Sequence, residues 1–469
     1  MSDVRDFGAV GDGKTDDTEA IQHAINDGDG RIEFSRGDYR ITRTLVIDLK
    51  NRGRTAIDGR GGVGKLVMDG PGPALFLKAT HAKSADPLGF RPEEWQNERM
   101  PTVDGLEIEG RHPEAHGIRI EGVMQPTLTR VLIRKVVTAV RLTSRARNLL
   151  INGCHFYENT GIGIHLDSVN LHQLIIADSH ISYCRLGGIR IENSEIRNLQ
   201  ITGNDIEYNN FRAHAASFPD SEAEPTAEIY VDVQNGSVRE GTIASNTIQA
   251  TYSSNGSNIR FIGAGPTGRE RAGMWTITGN LIGSQNNNIH LTDVYGVNIT
   301  GNYIYSGHHR NLLLERCRNI VVGPNSFGHN ADYQDKALAT GIRLEDCNNC
   351  NLNGLLIQDA PEGRHTVKDV EPISRQALVE IIRGRMINIP GCQILDGTPI
   401  GILLQECSDT IISGCTVLDQ RDKPQMLSAV VWIGAGTGNL LSSSRLGGTK
   451  SVDTLPESNV KQTEVVSDS

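Results

Sequence analysis

The chain has 469 residues, of which 38% are hydrophobic and 5% aromatic; it carries 51 glycines and a formal net charge of −10. That acidity, with no lysine/arginine run, argues against a sequence-independent nucleic-acid binder. No apolar run approaches the roughly 18 residues that span a membrane. Many turn residues and few bulky ones suit numerous short strands closed by tight corners.

The opening MSDVRDFGAV has neither a basic n-region nor an apolar h-region, so no secretory signal is expected. The protein is then cytoplasmic, or secreted with its signal removed. Residues 14–26 predict an amphipathic helix capped by Thr15 or Asp16, with Ala20, Ile21, Ala24 and Ile25 on one face. Such a helix would plug the open end of a solenoid, and Asp16 and Asp17 read as capping residues rather than a catalytic pair. Gly59 to Gly64 is expected to be a loop and not a phosphate cradle, because no helix pattern follows it. Trp95, in the 80–102 loop, can serve equally as a sugar platform or a loop anchor.

An internal repeat begins near residue 149. Aligning LLINGCHF, LIIADSHI, LQITGNDI, GTIASNTI, WTITGNLI, VNITGNYI, IVVGPNSF, CNLNGLLI, INIPGCQI and TIISGCTV puts anchors at Ile151, Ile176, Ile201, Ile243, Ile277, Ile299, Val322, Leu352, Ile389 and Ile412. The spacings run from 22 to 42, with a base period near 23 and loop insertions in the longer repeats. After the anchor comes a corner with Asn204, Asn246, Asn280, Asn302 and Asn325 at matching positions, which predicts a stacked asparagine ladder. A second short strand follows, then a third alternating strand such as GIHLD, GIRIE, NIHLT or GIRLE. Hairpin turn signals are missing between paired runs, so the strands are expected to stack from coil to coil as parallel sheets.

The predicted fold is all-β: a single-stranded right-handed parallel β-helix, a three-sheet solenoid of roughly 11–12 coils at about 4.8 Å each, with an N-terminal capping helix. The expected organisation is 1–45 for the opening segment and capping helix, 46–438 for the β-helix, and 439–469 for a polar, poorly ordered tail. The eight cysteines show no zinc-type pairing and read as small buried stacking residues, not disulfides.

The opening DFGAVGDGKTDDTEAI, followed by FSRGDYRI, resembles the segment shared by β-helix pectinases, epimerases and phage tailspikes. The likeness is to the pectate-lyase and polygalacturonase superfamily, and it implies a carbohydrate-active scaffold whose third-strand sheet lines a substrate groove. Many such rods trimerise, so a homotrimer enters the expected partners beside a poly- or oligosaccharide, although no residue pattern here requires one. Neither nucleic acid nor membrane is expected as a partner.

Two outward rows can be written along the third strands. The first runs Arg119, Arg141, His165, Arg190, Tyr230, Arg260, His290, Leu313, Arg343; the second runs Glu121, Thr143, Asp167, Glu192, Asp232, Ile262, Thr292, Glu315, Glu345. The loop at about 208–227, with Phe211, Arg212, His214 and Phe218, and a later loop with Arg269 and Arg271, would wall a cleft beside the middle. Asp167, Glu192 and Asp232 are candidate acid/base groups. Asp167 and Glu192 stand about 5 Å apart if they occupy adjacent coils, and Asp167 and Asp232 about 10 Å. The same three are candidate Ca2+ ligands. His165 and Tyr230 are candidate proton carriers, and Arg190, Arg260, His290 and Arg141 candidate substrate-binding groups, the arginines through a substrate carboxylate. A repeated Arg/Glu pair on an outward strand is also a common solubilising device. The turns NTGIGIHL, RLGGIRI and PTAEIYV lack the paired aspartates and GHG element of polygalacturonase-like hydrolases. Three functions remain: a lyase on a uronate polysaccharide, a two-carboxylate glycoside hydrolase or transferase, and a non-catalytic glycan-binding rod.

Overall fold

Short strands that bury every second residue need a neighbour on each edge, and here each strand finds it one coil away. The computed structural model describes residues 2–83, 88–89, 91–210, 226–330, 332, 341–359 and 375–467. The chain divides into two units, Met1–Thr242 and Ile243–Ser469. In each, the strands pair in parallel with the equivalent strand of the next coil.

In the first unit three inward stacks make the core. Leu142, Leu166, Ile191 and Val231 align on the first sheet, Ile151, Ile176 and Ile201 on the second, and Ile133, Phe156, Ile181 and Ile206 on the third. All are fully buried, each worth roughly 1.5–3 kcal/mol of apolar transfer. Strands Thr138–Asn152 and Ile162–Ala177 serve two sheets in turn. They bend at Ser144 and Ser168, whose φ values of 62° and 51° are left-handed; this corner turns the chain without breaking it. The repeat anchors Ile151, Ile176 and Ile201 therefore stack as the spacing predicts.

In the second unit Ile277, Ile299, Val322 and Leu352 align in the same way. The asparagine ladder is present: Asn246, Asn280 and Asn302 each donate from Nδ2 to the Oδ1 of the next asparagine, at 3.0, 2.9 and 3.0 Å, ending on Asn325. A second ladder, Asn258 to Asn288 to Asn311 at 2.9 and 2.6 Å, lies beneath the first sheet. All eight cysteines are buried free thiols. Cys317 Sγ, for example, lies 3.3 Å from the Leu291 carbonyl oxygen of the preceding coil.

Two expectations about the ends are corrected. The helix is Thr18–Asp27, shorter than 14–26 predicts at its start, because Asp12–Asp16 pairs as a strand with Gly37–Ile41. The N-cap is Asp17, which makes no side-chain cap bond and accepts instead from the N–H groups of Val10 and Gly11 at 2.7 and 3.0 Å, while Asp16, one residue earlier, accepts from the Thr18 N–H at 3.1 Å. At the other end, the stretch expected to be a disordered tail carries strands Asn439–Ser442, Lys450–Thr454 and Val460–Thr463. Leu441 and Leu446 there are fully buried, so two apolar side chains in the right register outweigh a polar composition. Among the described residues no helix is long and apolar enough to cross a membrane.

Candidate functional site

The outward rows exist in the register the alternation predicts. In the first unit Arg119, Arg141, His165, Arg190 and Tyr230 align coil by coil, and Asp167, Glu192 and Asp232 align beside them. The intervening Leu142, Leu166, Ile191 and Val231 are packed inside, which fixes the direction of every outward side chain.

Two groups meet on Glu192, and a third packs against one of them. His165 Nε2 lies 2.9 Å from Glu192 Oε2. Arg190 pairs with the same carboxylate: Nη2 donates to Oε1 at 2.9 Å, while Nε stands 2.8 Å from Oε2 as an ion pair without a hydrogen bond. The Arg190 guanidinium also lies 4.6 Å from the centroid of the Tyr230 ring, a cation–π distance. The His165 hydrogen bond, with the Arg190 pair behind it, pulls the Glu192 carboxyl down to about 2 against the opposing effect of burial. For Asp167, burial raises the pKa but is outweighed by its bonds to Arg141 and Ser168 and by the charge of His165, so it too lies below the ordinary value. Asp232 accepts from the Gln234 N–H and side-chain amide, both at 3.3 Å.

The three carboxylates face neighbouring side chains in this structure rather than one another. Adjacent in register, they are drawn aside by Arg141, by His165 and Arg190, and by Gln234. Among the described residues no group of three or more His, Cys, Asp or Glu side chains could hold a metal ion.

Arg260 and His290 lie in the second unit and are grouped there with each other. His290 Nε2 is 2.8 Å from Glu315 Oε2, Thr292 Oγ1 donates to the same oxygen at 2.9 Å, and Arg260 Nη1 donates to Thr292 Oγ1 at 2.9 Å. The His290 bond, ahead of the opposing burial, holds Glu315 at about 2. The step from a first-row histidine to a second-row glutamate one coil later is thus the same in His165–Glu192 and His290–Glu315. Sequence reasoning listed Glu315 without giving it a role, although this repeated offset was legible. It also missed Ser168 and Gln234, which sit at the corners just beyond the strands.

His308 and His309 are drawn inward: burial lowers both to about 4, and His309 Nδ1 is 3.1 Å from Asn287 Oδ1. Trp95 lies on helix Pro92–Asn97 with the Arg99 guanidinium 5.1 Å from its ring centroid. Phe211, Arg212, His214 and Phe218 lie outside the described residues, as does the side chain of Arg269.

Comparison with known proteins agrees with the fold. Residues 94–222 match the family described as right handed beta helix region, and residues 1–64 match rhamnogalacturonase A/epimerase, pectate lyase-like. The chain is a right-handed β-helix, and over those residues it is similar to the pectate-lyase-like superfamily. Within that superfamily, 43 residues are 54% identical to alginate lyase 7 of Azotobacter vinelandii, which is 8% of this chain and 5% of that enzyme. Gene product 12 of bacteriophage phi29, in its pre-mature form, superposes with a TM-score of 0.57 at 12% identity, over 94% of this chain and 56% of that one. Its N-terminal fragment gives 0.53 at 14% identity, over 94% and 70%. This chain thus spans little more than half of the pre-mature phi29 chain, and at such identities the likeness is one of fold, which leaves activity to be argued from the site.

Proposed function

We propose that the protein acts on an acidic, uronate-containing polysaccharide bound along the outward face of the first sheet, and that it cleaves the chain by β-elimination. The observation that carries this reading is the Arg190 cluster: one guanidinium ion-paired with Glu192 and lying over Tyr230, with His165 on the coil before. Elimination at a uronate removes the proton next to its carboxylate, breaks the bond to the glycosidic oxygen and returns a proton to that leaving oxygen. Positive charge beside the carboxylate acidifies the first proton. His165 and Tyr230 flank Arg190 in the row, one coil on each side, and serve as proton acceptor and donor. Glu192 orients the imidazole: with Nε2 tied to the carboxylate, Nδ1 is the nitrogen that takes the proton.

Hydrolysis through two carboxylates fits less well. A glycosidase acid needs a carboxyl whose pKa is raised, whereas Glu192 and Asp167 are both lowered. The second reading is a non-catalytic glycan-binding surface. It is favoured by the same ion pairs, since Arg141 with Asp167 and Arg190 with Glu192 already satisfy one another.

The test is turnover of a panel of polyuronates by Arg190→Ala and His165→Ala, with thermal melts as a control for folding. Losses of about 100-fold or more are expected from each, with melting points close to that of the parent. Full activity in both would overturn the site. Each assay is run with added Ca2+ and with chelator, because loss under chelator would assign the carboxylates to a metal and contradict their ion-paired reading.

A further inference from the structure

Beside the first coils of the same face lies a depression of about 260 Å3, lined by residues 79–82, Glu121, Gly122, Ser144 and Arg145. Its wall is built, not incidental. The N–H groups of Ala79 and His81 donate to the carbonyls of Glu121 and Gly122 at 3.0 and 2.9 Å. Thr80 is held by the Glu98 carboxylate, through its N–H at 2.7 Å and its hydroxyl at 2.8 Å, while Arg91 Nη2 donates to the Thr80 carbonyl at 2.9 Å. Behind it, His81 and Glu94 form a buried pair at 3.4 Å. Gly122 keeps the floor bare: its φ is +67°, and a Cβ there would stand 2.3 Å from the Ala79 carbonyl oxygen.

Arg145 differs from the arginines of the neighbouring row. Arg119, Arg141 and Arg190 each close on a carboxylate, Glu121, Asp167 and Glu192. The Arg145 guanidinium makes no ion pair or hydrogen bond among the described residues, although it lines the depression and is partly buried. A partly desolvated guanidinium without a counter-charge favours an anion that can accept two parallel bonds. Opposite it, the Glu121 carboxylate, already held by Arg119 at 2.8 Å and Thr143 at 3.2 Å, has the lone pairs to accept a hydroxyl. The volume lies just under the roughly 300–1,000 Å3 of ordinary ligand pockets, which suits a single saccharide residue.

We propose that this depression is a subsite for one carboxylate-bearing sugar residue, with Arg145 gripping the carboxylate and Glu121 a ring hydroxyl. The proposal rests on the acidic-polysaccharide reading above and adds a specificity-determining residue outside the reacting cluster.

The experiment is calorimetric titration of di- and trisaccharides of glucuronate, galacturonate and mannuronate, and of their carboxyl-reduced neutral counterparts. The proteins are the parent, Arg145→Ala and Arg145→Lys, each checked by thermal melt. At least one acidic sugar is expected to bind the parent, to weaken about tenfold or more in Arg145→Ala, and to recover partly in Arg145→Lys. Any binding of the neutral sugars is expected to be unchanged across the three proteins. Equal acidic-sugar affinity in the parent and Arg145→Ala overturns the subsite, and so does a parent that binds none of the acidic sugars. Arg145-dependent binding without cleavage of any polyuronate would leave the subsite standing while refuting the elimination reading. Cleavage with KM unchanged in Arg145→Ala would do the reverse.

Discussion

Glu192 meets His165 on one oxygen and accepts from Arg190 Nη2 on the other, so its charge is tied to the geometry of the whole cluster. Its pKa in the fold, about 2, lies below the ordinary 4.5. Its contribution to stability is therefore present above pH 4.5 and is lost as the pH falls from there towards 2. Acid melts of Glu192→Gln should show a flatter loss over that window than the parent; parallel curves would contradict the pairing. Glu228 behaves in the opposite sense. It is fully buried, and burial pushes its carboxyl well above the ordinary value, although Asn209 donates to it from N–H at 2.9 Å and Nδ2 at 2.5 Å. A raised group stabilises most below its unfolded pKa and loses that contribution as the pH rises through the folded value. Glu228→Gln keeps an acceptor for Asn209 and cannot ionise, so its melting point should gain on the parent's as the pH rises from the ordinary carboxyl value of 4.5 through the neutral range. A difference that stays constant across that range would sink the argument.

At the scale of the element, the corners and ladders hold the coils in register. Asn302 Oδ1 accepts from both the N–H and the Nδ2 of Asn280, at 2.9 Å each. Asn302→Ala would leave both donors buried and unpaired, at about 1–3 kcal/mol apiece, so a destabilisation of about 2–4 kcal/mol is expected in urea melts. A cost below about 0.5 kcal/mol, the ordinary range for a surface change, would mean the ladder is ornamental. This ladder was legible in the sequence because its four asparagines each stand three residues after a repeat anchor, Ile243, Ile277, Ile299 or Val322. The inner ladder of Asn258, Asn288 and Asn311 was not singled out: each precedes an inward strand position and reads as a turn residue until the next coil is laid beside it. The final strands were hidden for a related reason, since composition averages over a segment while burial depends on single positions such as Leu441 and Leu446.

At the scale of the molecule, period and alternation together specify a parallel β-helix, and they also specify which side chains face outward. The coil-to-coil contacts of the rows followed directly from that: His165, Arg190 and Tyr230 stand in line with Glu192 beside them, as do His290 and, one coil later, Glu315. What the rows could not reveal is which partner each charge selects. Three aligned carboxylates fit a cation site by spacing, while arginine and histidine one coil away pair with oxygens of two of them. Arg145 lies outside the two outward rows, because the chain turns at Ser144 and the strand continues beyond the corner. The central claim is tested most directly by incubating the purified protein with a panel of acidic polysaccharides while following ultraviolet absorbance and new reducing ends together. Elimination predicts that both rise in step on at least one polyuronate. Reducing ends without absorbance would show hydrolysis, and silence in both channels across the panel would contradict an enzymatic role and favour the glycan-binding surface.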